Sequence, residues 1–390
     1  MRTKGSWRTN LLLALASIAF ASVLAALGGE FVMRYYERHR STAPGSTALQ
    51  FYRHRRLVYA FRRNYDYFGW VHVNRQGFRG ADVGIDKPRG TLRIMTVGES
   101  TTFDRFVKGD QAAWPARLQF WLRKLAPERP VEVINAGTPG YRVIDNLIRL
   151  EIDLYQYRPD IIILYHGHND LFWAVQQASQ GPPPQTDRPD ESPIVTPWDR
   201  WLKGHSLLYN KIVSRLQYNK VYRHVRLPSG DRSWSRERWD RVLDDGARQF
   251  ERDETMFIAV ARELGIRVII PEVVHLSGVG AADEPDSTLR AVWAQHVPFA
   301  PPEVILAGYR RFDQVLHSVS ARFSVPLVET ASFGLRGTSF YGSGDPIHFN
   351  NRGADRMGRD MAEALLSARL LDPPAPDPRV IEERGAGARR

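Results

Sequence analysis

The chain has 390 residues, 43% of them hydrophobic and 25% charged. That balance excludes wholesale disorder, a collagen-like fibre and a multi-span transporter. The absence of cysteine excludes disulfide frameworks, thiolate zinc sites, thiol catalysis and a lipoprotein-type cysteine anchor.

The formal charge of +11 is unevenly spread. Arg2, Lys4 and Arg8 open the chain, and eight arginines against the single Glu37 occupy residues 34–63, so the remainder is close to neutral. A nucleic-acid binder carries its basic stripe on the folded domain. Here the excess flanks an apolar segment, and a nucleic-acid partner is not expected. That segment, Thr9 to Gly29, has no charged residue over 21 positions. At 1.5 Å per residue a helix of that length crosses the roughly 30 Å hydrocarbon core. The expectation is a membrane anchor over residues 9–29, within an N-terminal unit of residues 1–33. A signal peptide cleaved after Val23-Leu24-Ala25 is the competing reading. Three Lys/Arg residues precede the segment and Arg34, Arg38 and Arg40 follow it, so positive-inside counting leaves orientation tied.

Residues 34–64 form a basic juxtamembrane segment, in which Phe51 to Tyr59 interleaves arginines with aromatics. It reads equally as an interfacial stretch or as a solvated helix leading into the next domain. From Thr91 onward short apolar runs alternate with amphipathic stretches. Strands are expected at Leu92–Val97, Val131–Asn135, Asp160–Tyr165, Arg267–Val274 and Pro326–Glu329. Helices are expected at Ala112–Leu125, Val143–Tyr155, Ala247–Leu264, Pro302–Phe323 and Arg352–Leu371. This alternation predicts an α/β domain over 65–372, a five-stranded parallel sheet with helices on both faces. An insertion at 171–245 holds five of the ten tryptophans and is read as a partly ordered lid or subsite, or as a decoration packed on the sheet edge. The proline-rich tail, 373–390, reads as disordered.

Ligands of such sheets bind beyond the carboxyl ends of the strands, so chemistry is sought in the loops that follow them. After the first strand comes Gly98-Glu99-Ser100-Thr101-Thr102, where Ser100 is either a helix cap or a nucleophile. The nucleophile elbow Gly-x-Ser-x-Gly is not matched, because Thr102 takes the place of the last glycine. After the second strand, Asn135-Ala136-Gly137-Thr138-Pro139-Gly140 allows a tight turn and close backbone approach. After the third, His166-Gly167-His168-Asn169-Asp170 has two readings: a metal cluster completed by His275 or His296, or an oxyanion donor at Asn169. After the fifth, Asp345-Pro346-Ile347-His348 can pair a general base with an orienting carboxylate.

Taken together, Ser100 in Gly-x-Ser, Gly137, Asn169 in Gly-x-Asn-Asp and Asp345-x-x-His348 resemble, in order and spacing, the four blocks of the SGNH (GDSL-type) hydrolases. The resemblance spans about residues 91–371. The lead-in Val73 to Gly80 resembles that of membrane-tethered bacterial members, and Glu99 stands where the family usually has Asp. The resemblance implies a three-layer αβα sandwich and a serine ester hydrolase requiring neither metal nor cofactor. It makes Ser100 the nucleophile, His348 the general base and Asp345 its partner. The backbone N–H groups of Ser100 and Gly137 and the side chain of Asn169 form the oxyanion hole. His166 and His168 become structural or rim residues.

The expected substrate is an acyl ester carried by an envelope polysaccharide or a lipid, because an anchor suits a substrate that does not diffuse freely. The catalytic domain is then expected outside the cytoplasm, in a periplasmic setting. Transfer of the acyl group to a glycan hydroxyl is the nearest alternative. A non-catalytic glycan binder using the tryptophan-rich insertion and a metal-dependent hydrolase follow.

Overall fold

The computed structural model describes residues 6–39, 51–180 except 53, 55, 58, 68 and 69, the isolated positions 202, 206, 208, 209 and 212, 235–277 and 287–372. The expected tail at 373–390 and most of the expected insertion lie outside the described residues.

Helix α1, Ser6–His39, contains the apolar stretch Thr9–Tyr35, long enough to cross a membrane and with none of its hydropathic window buried. Length and composition are equally those of a signal sequence. At its far end Glu30 accepts hydrogen bonds from Ser206 Oγ at 2.8 Å and the Leu208 N–H at 2.9 Å.

Residues 34–39 of the basic segment continue α1, whereas its aromatic part, Phe51 to Tyr59, is not a helix where the structure describes it. Strand β1, Phe51–Tyr52, pairs antiparallel with β2, Ala60–Phe61. Leu57 and Phe61 are buried, and the Phe61 ring stacks on Phe103 at 4.7 Å. Leu57 and Phe61 therefore dock the segment on the domain as a hairpin rather than as the solvated helix of the alternative reading. A second hairpin joins β3, Tyr65–Tyr67, to β4, Val71–Val73.

The main sheet begins with β5, Leu92–Gly98, which leads through the short helix α2, Ser100–Phe103, into α3, Trp114–Leu125. There follow β6, Val131–Asn135; α4, Val143–Ile152; β7, Ile161–Tyr165; α5, His168–Gln180; α6, Arg236–Glu263; and β8, Arg267–Pro271. The chain then forms α7, Ser287–His296; α8, Pro302–Phe323; β9, Leu327–Val328; and α9, Asn351–Ser367. The five strands run parallel in the order β6-β5-β7-β8-β9. Helix α3 packs on α9 in one layer, and α4, α5, α6 and α8 pack together in the other. This is the expected αβα sandwich. Central strand β7 is buried at every position, as befits a strand covered on both faces. The chain crosses back over β5 between β6 and β7, and the carboxyl ends of the strands at such a reversal are where ligands of these sheets bind.

Two departures have physical causes. Helix α6 starts at Arg236 rather than Ala247, with Ser235 capping the Arg238 N–H. Gly246 interrupts the helical pattern because a Cβ there would meet the Ala174 Cβ of α5 at 2.7 Å. Strand β8 ends at Pro271, short of Val274, because proline has no N–H for the ladder. Of the tryptophans assigned to the insertion, Trp239 is buried in α6 and Trp173 is exposed on α5, so these two serve the helix layer. Trp198, Trp201 and Trp234 fall outside the described residues.

Candidate active site

Ser100 opens α2 immediately beyond β5, and nothing among the described residues accepts a hydrogen bond from its N–H. Its Oγ lies 2.8 Å from His348 Nε2, and His348 Nδ1 lies 2.8 Å from Asp345 Oδ2. The other Asp345 oxygen accepts the backbone N–H groups of Ile347 at 2.9 Å and His348 at 2.8 Å. Burial pushes this carboxyl up, but the His348 imidazole and those two N–H groups outweigh it, and Asp345 stays well below the usual carboxylate range. A fixed carboxylate on Nδ1 holds the proton there and leaves Nε2 to accept from Ser100. The loop carrying the pair is pinned by the Pro346 carbonyl, which accepts from Leu276 N–H at 2.8 Å. Asn350 caps α9 directly behind it.

The two middle blocks converge on α2. A Cβ on Gly137 would collide with the backbone of Thr102 and Phe103, so only glycine admits this approach. The Gly137 N–H is directed to Asn135 Oδ1 at 3.1 Å, and an incoming anion would have to share it. Asn169 Nδ2 donates one hydrogen to the Tyr141 carbonyl at 2.9 Å, which leaves the second for a ligand. Gly167 adopts φ 134°, and a side chain there would strike Val273. Phe106 stands edge-on to His348 with ring centroids 5.0 Å apart, and His296 approaches from α7 at 6.2 Å.

Glu99 joins the first and third blocks. Its fully buried carboxylate accepts the N–H groups of Gly167 and Asn169, each at 2.8 Å. Glu99, His166 and Asp170 bring potential ligand atoms within 4.8 Å of one another. They do not suit a metal. Asn146 Nδ2 donates to the Gly98 carbonyl at 3.0 Å and faces His166 Nε2 at 3.1 Å, so Nε2 is an acceptor. The imidazole proton then sits on Nδ1, the atom 3.8 Å from Glu99 and 3.9 Å from Asp170, where a metal ligand needs a lone pair. Nor do the other histidines gather there. His168 Nδ1 pairs with the Tyr309 hydroxyl at 2.7 Å, His275 stacks on Tyr309, and His296 faces His348.

This interior is rich in carboxyl groups displaced by burial. Burial pushes Asp104, Asp170 and Asp313 each up to about 7, against single backbone N–H donors and, for Asp104 and Asp170, an arginine. Glu254, buried and then opposed by Asp170 and Asp253, lies well above its ordinary value. In the other direction, burial lowers His166 to about 3 and His275 to about 4. A carboxyl raised in the folded state stabilises it below the unfolded value and loses that contribution as pH rises through the folded one. The depressed histidines act oppositely, but only below their unfolded value near 6.5. The melting temperature should therefore fall between pH 6.5 and 8.5, each group near 7 contributing on the order of 1 kcal/mol, and flatten below pH 6.5. A melting temperature rising across pH 6.5–8.5 in a thermal scan would contradict this.

A serine hydroxyl, an imidazole and a carboxylate thus stand in series at the carboxyl ends of the strands of an αβα sandwich. The sequence comparison narrows the class. Residues 96–255 match the GDSL-like Lipase/Acylhydrolase family, a span containing Ser100, Gly137 and Asn169 but ending before Asp345 and His348. That match gives residues 96–255 a GDSL-like lipase/acylhydrolase domain, whose reaction class is ester hydrolysis. Comparison with curated proteins gave no match. Among solved structures, the chain is similar to a variant of an acetyl xylan esterase from Geobacillus stearothermophilus, with 14% identity and a TM-score of 0.40 over 71% of this chain and 93% of that one. It is similar to an esterase from Pseudoalteromonas sp., with 12% identity and a TM-score of 0.40 over 71% and 97% of the chains. The lipase/acylhydrolase from Enterococcus faecalis follows, with 15% identity and a TM-score of 0.39 over 71% and 96%.

Proposed function

We propose that the chain hydrolyses an acyl ester through an acyl-enzyme intermediate, with Ser100 as nucleophile, His348 as general base and Asp345 as its orienting partner. The observation that carries this reading is the unbroken series from Ser100 Oγ through His348 to Asp345, with 2.8 Å at both junctions. Serine is a weak nucleophile until a base takes its proton. His348 Nε2 takes that proton as Oγ bonds to the ester carbonyl carbon, and returns it to the departing alkoxide. Water then repeats the attack on the acyl-serine and releases the acid. The negative charge on the carbonyl oxygen falls to the N–H of Ser100 and the second hydrogen of Asn169 Nδ2, with the Gly137 N–H joining once it leaves Asn135. A preorganised donor of this kind is worth about 3–4 kcal/mol in the transition state.

The substrate is an ester held at or near a membrane, an O-acylated envelope polysaccharide or a lipid. Support for this comes from α1, which is long and apolar enough to anchor the domain at a membrane surface. The domain lies outside the cytoplasm. One experiment tests chemistry and location together. Spheroplasts producing the full chain are treated with a membrane-impermeant fluorophosphonate, and the adduct is mapped by mass spectrometry. Labelling of Ser100 in intact spheroplasts is expected. Labelling only after lysis would refute the location, and labelling in neither would refute the nucleophile.

A further inference from the structure

The oxyanion amide is held by a peptide turn that the juxtamembrane hairpin fastens from outside. Thr138-Pro139-Gly140-Tyr141 is a type II turn: the Tyr141 N–H donates to the Thr138 carbonyl at 3.2 Å, Pro139 takes the second position and Gly140 the third, at φ 80°. In such a turn the central peptide can rotate by half a turn into the type I arrangement, and glycine at the third position tolerates both. Something must select one. The Tyr59 hydroxyl donates to the Pro139 carbonyl, the oxygen of that central peptide. In return the Tyr141 hydroxyl donates to the Tyr59 carbonyl, and the two rings lie 5.2 Å apart. The approach is close enough that a Cβ on Gly140 would collide with the Tyr59 hydroxyl. The same Tyr141 presents its own carbonyl to Asn169 Nδ2 at 2.9 Å.

We infer that Tyr59 is a positioning residue for the oxyanion hole, acting through Tyr141 on Asn169. The hairpin that carries it also anchors itself through Phe61 on Phe103, the last residue of the helix that Ser100 opens. The two-stranded hairpin between α1 and the domain thus braces both the helix that Ser100 opens and the oxyanion turn. The inference rests on the proposed triad and oxyanion hole. Its consequence is specific: an oxyanion donor acts when charge has developed, so its misplacement lowers kcat and leaves KM nearly unchanged.

The test uses the full chain in detergent micelles and p-nitrophenyl acetate, with Tyr59→Phe, Asn169→Ala, the double variant and Ser100→Ala. Tyr59→Phe keeps the ring and removes only the hydroxyl. It should lower kcat three- to tenfold with KM within twofold and an unshifted pH–rate profile. On the Asn169→Ala background the same change should cost less than twofold, because the amide it positions is gone. Asn169→Asp, of matching size, replaces Asn169→Ala if the latter does not fold. A kcat for Tyr59→Phe within twofold of wild type overturns the inference, as does a full multiplicative loss in the double variant. Turnover surviving in Ser100→Ala overturns instead the reading on which it rests.

Discussion

Replacing Asp345 by asparagine should lower kcat by about 10⁴-fold with little change in KM. The reason is a proton. Asp345 Oδ2 accepts from His348 Nδ1, and its other oxygen accepts two backbone N–H groups, so the carboxylate has no hydrogen of its own to give. An asparagine in the same place keeps its oxygen on the backbone donors and turns its NH₂ toward Nδ1. The imidazole must then accept at Nδ1 and carry its proton on Nε2, facing Ser100 Oγ with a donor where catalysis requires an acceptor. Ser100→Ala should cost at least as much, because it removes the hydroxyl proposed as nucleophile. Steady-state kinetics on p-nitrophenyl acetate, with circular dichroism to establish folding, measures both. A loss below tenfold in Asp345→Asn would mean that the carboxylate does not set the tautomer.

The depressed ionisation of Asp345 extends the argument to pH. Because His348 and two N–H groups hold that carboxyl well below its ordinary range, the orienting charge survives to strongly acidic conditions. Acid loss of activity above about pH 4 is then not expected to come from protonation of this carboxylate.

The frame of the site is legible in the sequence because it rests on local signals. An uninterrupted Ile-Ile-Ile-Leu-Tyr run bounded by Asp160 and His166 is a buried parallel strand in either description. Gly98, Asn135 and Tyr165 end three neighbouring strands, so the loops after them must share one sheet edge. What escapes is whatever depends on distant partners. Helix α7 was not expected, although Leu289, Trp293 and Val297 recur at four-residue intervals and all three are buried. Its signal is one short stripe between segments without a pattern. The role of Glu99 escapes as well. Its carboxylate is satisfied by N–H groups some seventy positions away, and no spacing rule connects them. The basic aromatic segment is hard to read for the opposite reason, since its composition fits a membrane surface as well as a docked hairpin, and only the structure shows Tyr59 and Phe61 packed on the domain. The metal reading of His166 fails on a single partner, Asn146, whose amide fixes the imidazole proton on the side where a cation would have to bind.

Arg79 carries the largest expected effect on stability. It appears in the sequence only as one residue of the lead-in, yet in the structure its side chain is 1% exposed and all five guanidinium hydrogens are used. Nη1 donates to the carbonyls of Phe103 at 2.8 Å and Asp104 at 2.6 Å, and Nη2 to those of Val107 at 2.9 Å and Gly109 at 3.0 Å. Nε pairs with Asp110 at 3.0 Å. Four carbonyls from the end of α2 to the start of α3 are therefore gathered by one planar fork. Lysine offers three donors from a single nitrogen and cannot reach them all. Arg79→Met removes the guanidinium donor from all four carbonyls and from Asp110; the carbonyls of Asp104 and Gly109 keep one backbone donor each, and Asp110 keeps the His72 N–H. The change should destabilise the domain by about 3–5 kcal/mol, lowering the melting temperature on the order of 10 °C. Arg79→Lys should fall between that variant and wild type. Thermal melting of the full chain in micelles, followed by tryptophan fluorescence, provides the measurement. A loss below about 1 kcal/mol in Arg79→Met would place it among ordinary surface substitutions and show that the loop holds itself. The expected loss would instead make the segment before the sheet part of the machinery that keeps α2, and with it Ser100, in register with His348.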